Sequence, residues 1–181
     1  MLRAQGVAAR ARCGFGAYFV ERMFIDHWVT EYWNEAQKRW VLVDAQLDGR
    51  QRELFKIGFD PLDVPRDQFL VAGQAWELCR AGKADPDSFA ILDMHGLWLI
   101  AGNVIRDVAA LNNHEMLPWD VWGAMTRNDA GLDLPLIDRL AELSHAPDEH
   151  PAELQAAYED RRIAVPGTVF NAVLNRPDPV H

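Results

Sequence analysis

Hydrophobic and polar positions change their period near residue 60. Ahead of that point the chain carries short runs rich in β-branched and aromatic residues, the pattern of half-buried strands. Three strands are predicted: Ala9 to Phe15, Trp28 to Trp33 and Arg39 to Asp44. The first holds a single strong strand former, Phe15. Along the second, His27, Val29, Glu31 and Trp33 share one face, while Trp28, Thr30 and Tyr32 share the other. The third alternates Trp40, Leu42 and Asp44 against Val41 and Val43. The short polar stretch Asn34-Glu35-Ala36-Gln37-Lys38 joins these two as an antiparallel hairpin. Met1 to Gly6 reads as the closing turn of a helix, with Gly6 as its stop.

Beyond Asp60 the period becomes helical. Pro65-Arg66-Asp67 opens a segment with Phe69, Ala72, Gly73, Trp76 and Cys79 at spacings of three and four. Leu97, Ile100, Ala101, Val104, Ile105, Val108 and Leu111 form the cleanest amphipathic helix, whose opposite face carries Asn103, Arg106 and Asp107. Further helices are predicted over Pro118 to Thr126, Pro135 to Leu143, Pro151 to Asp160 and Pro166 to Leu174. Each starts with a proline, which suits a first helical position. The tail from Arg176 to His181, with two prolines, is expected to fray. The fold class is therefore α+β: an antiparallel sheet in residues 1–60, followed by a helical region over 61–181 packed on it as one unit.

Composition narrows the function classes. The 181 residues are 49% hydrophobic and 25% charged, enough for a real core. A net charge of −9 disfavours nucleic acid and anionic lipid as partners. The longest apolar run, Leu97 to Gly102, is too short to span a bilayer, and no signal peptide opens the chain. Two cysteines, Cys13 and Cys79, make no disulfide framework and have no zinc-ligand spacing, so a reducing, cytoplasmic setting is expected. No metal or organic cofactor is expected either. His95, His114, His145 and His150 are scattered, without an i, i+4 pair for a metal. Trp119 and Trp122 sit at i, i+3 and read as core or as the wall of a groove.

One constellation carries chemistry. In a hairpin centred near residue 36, paired positions sum to about 71 or 72, which sets His27 beside Asp44 at about 5 Å between backbones. A carboxylate there accepts the imidazole N–H, fixes its tautomer and leaves the other ring nitrogen free as a base. The same pair also serves as a purely structural hydrogen bond in many sheets.

The residues around this pair resemble those of the transglutaminase-like superfamily. The resemblance rests on Leu2-Arg3-Ala4-Gln5-Gly6-Val7-Ala8-Ala9-Arg10, then Cys13-Gly14-Phe15, then Asp26-His27-Trp28-Val29-Thr30-Glu31-Tyr32, then Arg39-Trp40-Val41-Leu42-Val43-Asp44. It covers residues 2 to 48 and implies a papain-like Cys-His-Asp triad, with His27 as general base and Asp44 as the acid that orients it. The implied reaction is acyl transfer or hydrolysis at an amide of a peptide or protein substrate. The family's nucleophilic cysteine stands at the start of a helix that precedes the first of these phrases, and no cysteine of this chain occupies the matching place. The chain as written is therefore expected to be inactive. It is either a piece of a longer active cysteine enzyme or a non-catalytic binding module that has kept the sheet.

Cys13 can stand near His27 as well, on the same face or the opposite one, and a one-residue slip decides which. It is read as buried packing or as a substitute nucleophile, and Cys79 as core. Without a covering helix, the strand faces bearing Trp28, Trp33 and Trp40 need cover from the C-terminal region or from a second copy, so a homodimer through that sheet face is expected.

Overall fold

Strand formers gather before residue 44, and the longest apolar helix comes after residue 96, so the sheet and its cover come from different parts of the chain. A computed structural model describes residues 2–180. In chain order its elements are β1 (Ala9–Gly16), β2 (Phe24–Asn34), β3 (Arg39–Val43), α1 (Gly49–Leu54), β4 (Phe69–Val71), α2 (Ala72–Arg80), β5 (Phe89–Ile91), β6 (Met94–His95), α3 (Leu97–Leu111), β7 (Asp120–Val121), α4 (Leu134–His145), α5 (Pro151–Tyr158), β8 (Thr168–Asn171) and β9 (Arg176–Pro179). The fold is α+β with a mostly antiparallel sheet.

Six strands form the main sheet in the order β4-β1-β2-β5-β6, with β3 also on β2. β1 occupies one flank of β2 along eight residue pairs, Ala9↔Tyr32 to Gly16↔Ile25. The other flank is divided. β3 pairs with Thr30 to Asn34, and β5 joins in parallel at Phe24 and Ile25. The stretch between them, Asp26 to Val29, has no strand on that side.

The hairpin β2–β3 forms as the sequence predicts, but its partners sum to 73, as in Thr30↔Val43 and Asn34↔Arg39. Asn34 Oδ1 gathers the N–H groups of Ala36 and Gln37, and Lys38 closes the loop in a left-handed conformation with φ 52°. Asp44 is therefore diagonal to His27 rather than opposite it.

The two sheet faces have separate cores. One gathers Phe15, Leu70 and Phe89 against Trp76 of α2, the length of α3, and Ile137 and Leu140 of α4. The other gathers Val29, Leu42, Phe69 and Val71 under Tyr18, Leu47 and Val64. The cover on this second face comes from the chain's own Tyr18 and Phe19 and from residues 45–64. α2 and α4 cross closely at Gly73, where a Cβ would stand 2.4 Å from Ala141 O and 2.6 Å from Ser144 Oγ.

Helix prediction succeeds for α3, α4 and α5, the segment opened at Pro65 becomes helical only at Ala72, as α2, after strand β4, and two further predicted helices do not form. Residues 118–126 hold only the short strand β7, because the chain turns at Gly123 with φ 54°, where a Cβ would be 2.0 Å from Arg162 O. Residues 166–174 hold β8, a Thr-Val-Phe run that prefers extended backbone. The tail is not frayed: Arg176 to Pro179 pair with β8 as β9, after a turn held by Asn171 Oδ1 and by Asn175 at φ 51°. His181 lies outside the described residues. Near the start, Arg3 to Gln5 form one 3₁₀ turn closed at Gly6 with φ 77°, and Met1 also lies outside the described residues. Beyond residue 60 the main sheet gains β4, β5 and β6, so the second part of the chain is not purely helical.

The tryptophans do not form one patch. Trp33 and Trp40 are partners on one face, packed edge to face at 5.8 Å, with the Arg10 guanidinium 3.8 Å above the Trp40 ring. Trp28, an odd number of residues from Trp33, points to the other face. Among the described residues no helix is long and apolar enough to cross a membrane.

The polar stripe of α3 is buried. Asn103 and Asp107 are fully buried and Arg106 nearly so. Arg12 of β1, also buried, donates through Nε and Nη2 to both Asp107 oxygens at 3.1 and 2.9 Å, through Nη1 to Glu31 Oε2 at 2.9 Å, and to Ser144 O. Burial works against its charge, but Asp107 and Glu31 more than offset that and hold the guanidinium above its usual pKa. Arg10 and Arg66 also pair with Glu31. Burial raises the Glu31 pKa and the three arginines outweigh it, bringing the carboxyl down to about 2.

Replacing Glu31 by Gln takes one of two carboxylates from the buried Arg12 guanidinium, which keeps Asp107, at a cost of about 1.5–3 kcal/mol. A carboxylate with a depressed folded pKa stabilises above its unfolded pKa, near 4.5, and loses that contribution as pH falls toward about 2. Urea denaturation of the wild type and E31Q should show the full gap at pH 7, narrowing below pH 4.5.

Candidate active site

Where β3 ends, the chain leaves the sheet: Asp44 N–H donates to Pro61 O at 2.8 Å instead of extending the ladder to β2. This departure swings the Asp44 carboxylate back over the unpaired stretch of β2. Asp44 Oδ2 lies 2.7 Å from His27 Nε2 and accepts from Tyr18 Oη at 2.7 Å, while Oδ1 accepts from Gln46 N–H at 3.0 Å. The Gln46 side chain reaches Trp28 O at 3.3 Å and so caps part of the open β2 flank.

Asp44 is 1% exposed. Burial pushes its pKa up, but His27, the Tyr18 hydroxyl and the Gln46 N–H outweigh that and hold it below the usual carboxylate range. Burial and the adjacent carboxylate push the Tyr18 phenol up, so it stays a donor. An ionised Asp44 is acceptor-only, which assigns the proton of the neutral imidazole to Nε2 and leaves Nδ1 with a lone pair. Nδ1 makes no hydrogen bond among the described residues. The ring is steadied edge-on by Phe19 at 4.9 Å, and its neighbour across β1 is Gly14, which presents no side chain. Phe19 and Tyr18 also line a hollow of about 290 Å³ against Phe55 and Phe59.

The structure thus brings His27 and Asp44 together and separates Cys13 from both. Cys13 pairs with Trp28, and residues directly opposite in a ladder share a face, so its side chain points away from that of His27. It is fully buried, and burial pushes its thiol well above the usual range. Its N–H, on the edge of β1 left open beyond the short β4, donates to Asp107 Oδ1 at 2.8 Å. Cys79 is half-buried on α2, and burial raises its pKa to about 11. Neither thiol is placed or activated to serve His27.

The other histidines are dispersed. His95, His145 and His150 pair singly with Asp87, Glu77 and Glu153, and His114 stacks on Tyr158. Among the described residues no group of three or more His, Cys, Asp or Glu side chains is placed to hold a metal ion. Trp122 is core, its Nε1 donating to Ile163 O at 2.8 Å, whereas Trp119 is partly exposed beside a cavity. Sequence reasoning missed Tyr18 and Gln46, which sit in loops without a motif. It also missed the buried cluster of Asp26, Trp28, Asn103 and Arg106 on the opposite face, whose signal was the polar stripe of α3. No family model, curated protein or solved structure matches this chain.

Asp44→Asn should cost about 1–3 kcal/mol at pH 7, since it sets a second donor among three. The depressed Asp44 pKa gives the wild type its full advantage above the ordinary carboxylate range, and the advantage fades as pH falls through the folded value. Paired denaturation curves at pH 7 and pH 3 measure both effects. In native protein at pH 8, iodoacetamide followed by peptide mass spectrometry should find Cys79 slowly modified and Cys13 protected until the protein unfolds.

Proposed function

We propose that this chain is a transglutaminase-like scaffold for thiol acyl transfer or amide hydrolysis, in which His27 is the general base and Asp44 the acid that orients it. The observation that carries this reading is the 2.7 Å contact from His27 Nε2 to a buried, ionised Asp44, with Nδ1 left unbonded. In such a site a thiol attacks the amide carbonyl carbon and its proton passes to Nδ1. The imidazolium, steadied by Asp44, returns that proton to the departing amine as the C–N bond breaks, leaving a thioester. Water or a second amine then attacks the thioester, and His27 carries the proton again while the thiol is released. The thiol is neither Cys13 nor Cys79, so the 181-residue chain alone lacks this activity. A peptide or protein glutamine-like amide suits the reaction, and two free cysteines suit a reducing, cytoplasmic setting.

The test compares the protein isolated from its native source with the 181-residue chain, each beside its His27→Ala variant. Ammonia release and amine incorporation on a glutamine-containing peptide are read together with intact mass. The expected result is a native product heavier than 20.5 kDa, active through an additional cysteine and reduced at least about a hundredfold by H27A, beside an inactive short chain. Activity that survives H27A, or an inactive native product of 20.5 kDa, overturns the reading.

A further inference from the structure

On the helix-covered face of the sheet, opposite the His27 side chain, lies a cavity of about 450 Å³, a size that holds a small molecule. The β5–β6 hairpin, the first half of α3, the segment carrying β7 and the turn after β8 enclose it. Its walls are apolar, with Leu92 and Met94 from the hairpin, Trp98 and Leu99 from α3, and Val121 and Met125 from the β7 segment.

The mouth displays large apolar side chains as well. Leu92, at the hairpin tip, is 91% exposed, Val173 is 70% exposed and Trp119 39%. Water settles in polar cavities and gains little between walls of this kind. A body of matching chemistry gains from the apolar area it covers.

Charge selects the rest of the ligand. Three charged side chains line the cavity: Asp26, Arg106 and Arg127. The first two answer each other across the floor, and Asp26 Oδ1 and Arg106 Nε are sealed from solvent. Both Arg106 Nη atoms are also engaged, with Asn103 Oδ1 and Asp120 O. The floor thus offers a ligand no free charge. Arg127 differs. It is exposed, its guanidinium lies over the Phe170 ring at 4.8 Å, and it has no carboxylate partner among the described residues. A guanidinium held on a ring face keeps its in-plane N–H groups available. Asp129 is occupied by the Trp98 N–H at 2.8 Å, and neither it nor Asp93 lines the cavity.

We propose that this cavity binds a monocarboxylate with an apolar body, the body between the walls and the carboxylate at the mouth against Arg127. A cation of the same shape meets that guanidinium at the entrance, and a neutral molecule fills the walls but leaves the guanidinium unused. The site uses no atom of the His27–Asp44 pair and stands whether or not that pair is catalytic.

Met94 and Met125, two of the five methionines, line the cavity, and Met23 does not. Methyl-labelled methionine in the full 181-residue chain therefore reports occupancy, with octanoate, 1-octanol and octylammonium as probes of one chain length. Octanoate should shift Met94 and Met125 saturably, leave Met23 in place, and bind about fivefold more tightly than octylammonium. Arg127→Gln should weaken octanoate about threefold and leave 1-octanol unchanged. Arg127→Glu should turn the preference over to octylammonium. The order of octanoate and octylammonium on the unaltered chain decides the matter even where a variant fails to fold. No saturable shift with any probe, octylammonium binding as tightly as octanoate, or an octanoate affinity that a folded R127Q leaves intact overturns the proposal. Shifts of Met94 and Met125 that follow protein concentration without any probe assign the mouth to a second copy of the chain and overturn it as well.

Discussion

The buried guanidinium of Arg12 is the constraint on which the arrangement depends. An arginine taken out of water is tolerable only when its charge and donors are met, and three separate parts of the chain meet them. Glu31 comes from the neighbouring strand, Asp107 from α3 and the Ser144 carbonyl from α4. Apolar contacts alone would let α3 slide along the sheet, because Val, Ile and Leu surfaces are tolerant of register. The two-pronged Arg12–Asp107 contact and the Cys13 N–H bond to the same carboxylate fix where α3 lies along β1. Everything α3 carries, including the adjacent Arg106 and Asn103 one turn earlier, is placed by that clamp.

A second constraint follows from the divided flank of β2. Neither β3 nor β5 reaches Asp26 to Val29, so this stretch is ordered by β1 alone. Alternation then sends adjacent side chains to opposite faces. His27 turns toward the face covered by residues 45–64, where the chain leaving β3 brings Asp44 to it. Asp26 turns toward α3, where Arg106 stands. One break in sheet pairing therefore creates two polar sites back to back, each holding a carboxylate that a continuous sheet would have left no room for.

Much of this was legible in the sequence. Period-two runs placed the three strands before residue 44, and the apolar spacing placed α3 at its observed limits, because both patterns follow directly from which face is buried. The His27–Asp44 pairing was legible because counting outward from the hairpin loop brings both residues to the same level of β2 and β3. Its register was not: a loop closed by a left-handed lysine adds one to the partner sum, and no rule read from composition distinguishes that loop from a tighter one. β7 and β8 were misread as helices because a leading proline suits helices and strand edges alike, and tertiary contacts such as Gly123 against Arg162 chose between them, while β9 was read as a fraying tail because of its two prolines. The polar stripe of α3 looked like a solvent face because the sequence does not reveal that Arg12, from a strand 95 residues away, will bury itself against it.

The role of Cys13 shows how narrowly chemistry depends on such parity. On β1 it stands one residue from Gly14, the neighbour of His27, and that single step carries its sulfur through the sheet to the core side. There it meets apolar side chains and the Asp107 carboxylate, both of which oppose a thiolate. A nucleophile for His27 has to approach Nδ1 from the other face, on the side of the ring away from Asp44, and has to find a group that stabilises its negative charge. An imidazole held by a buried carboxylate meets one half of that requirement and cannot meet the other. The two cysteines of the chain are thus placed as structure, whereas His27 has one nitrogen tied to Asp44 and one without a partner among the described residues.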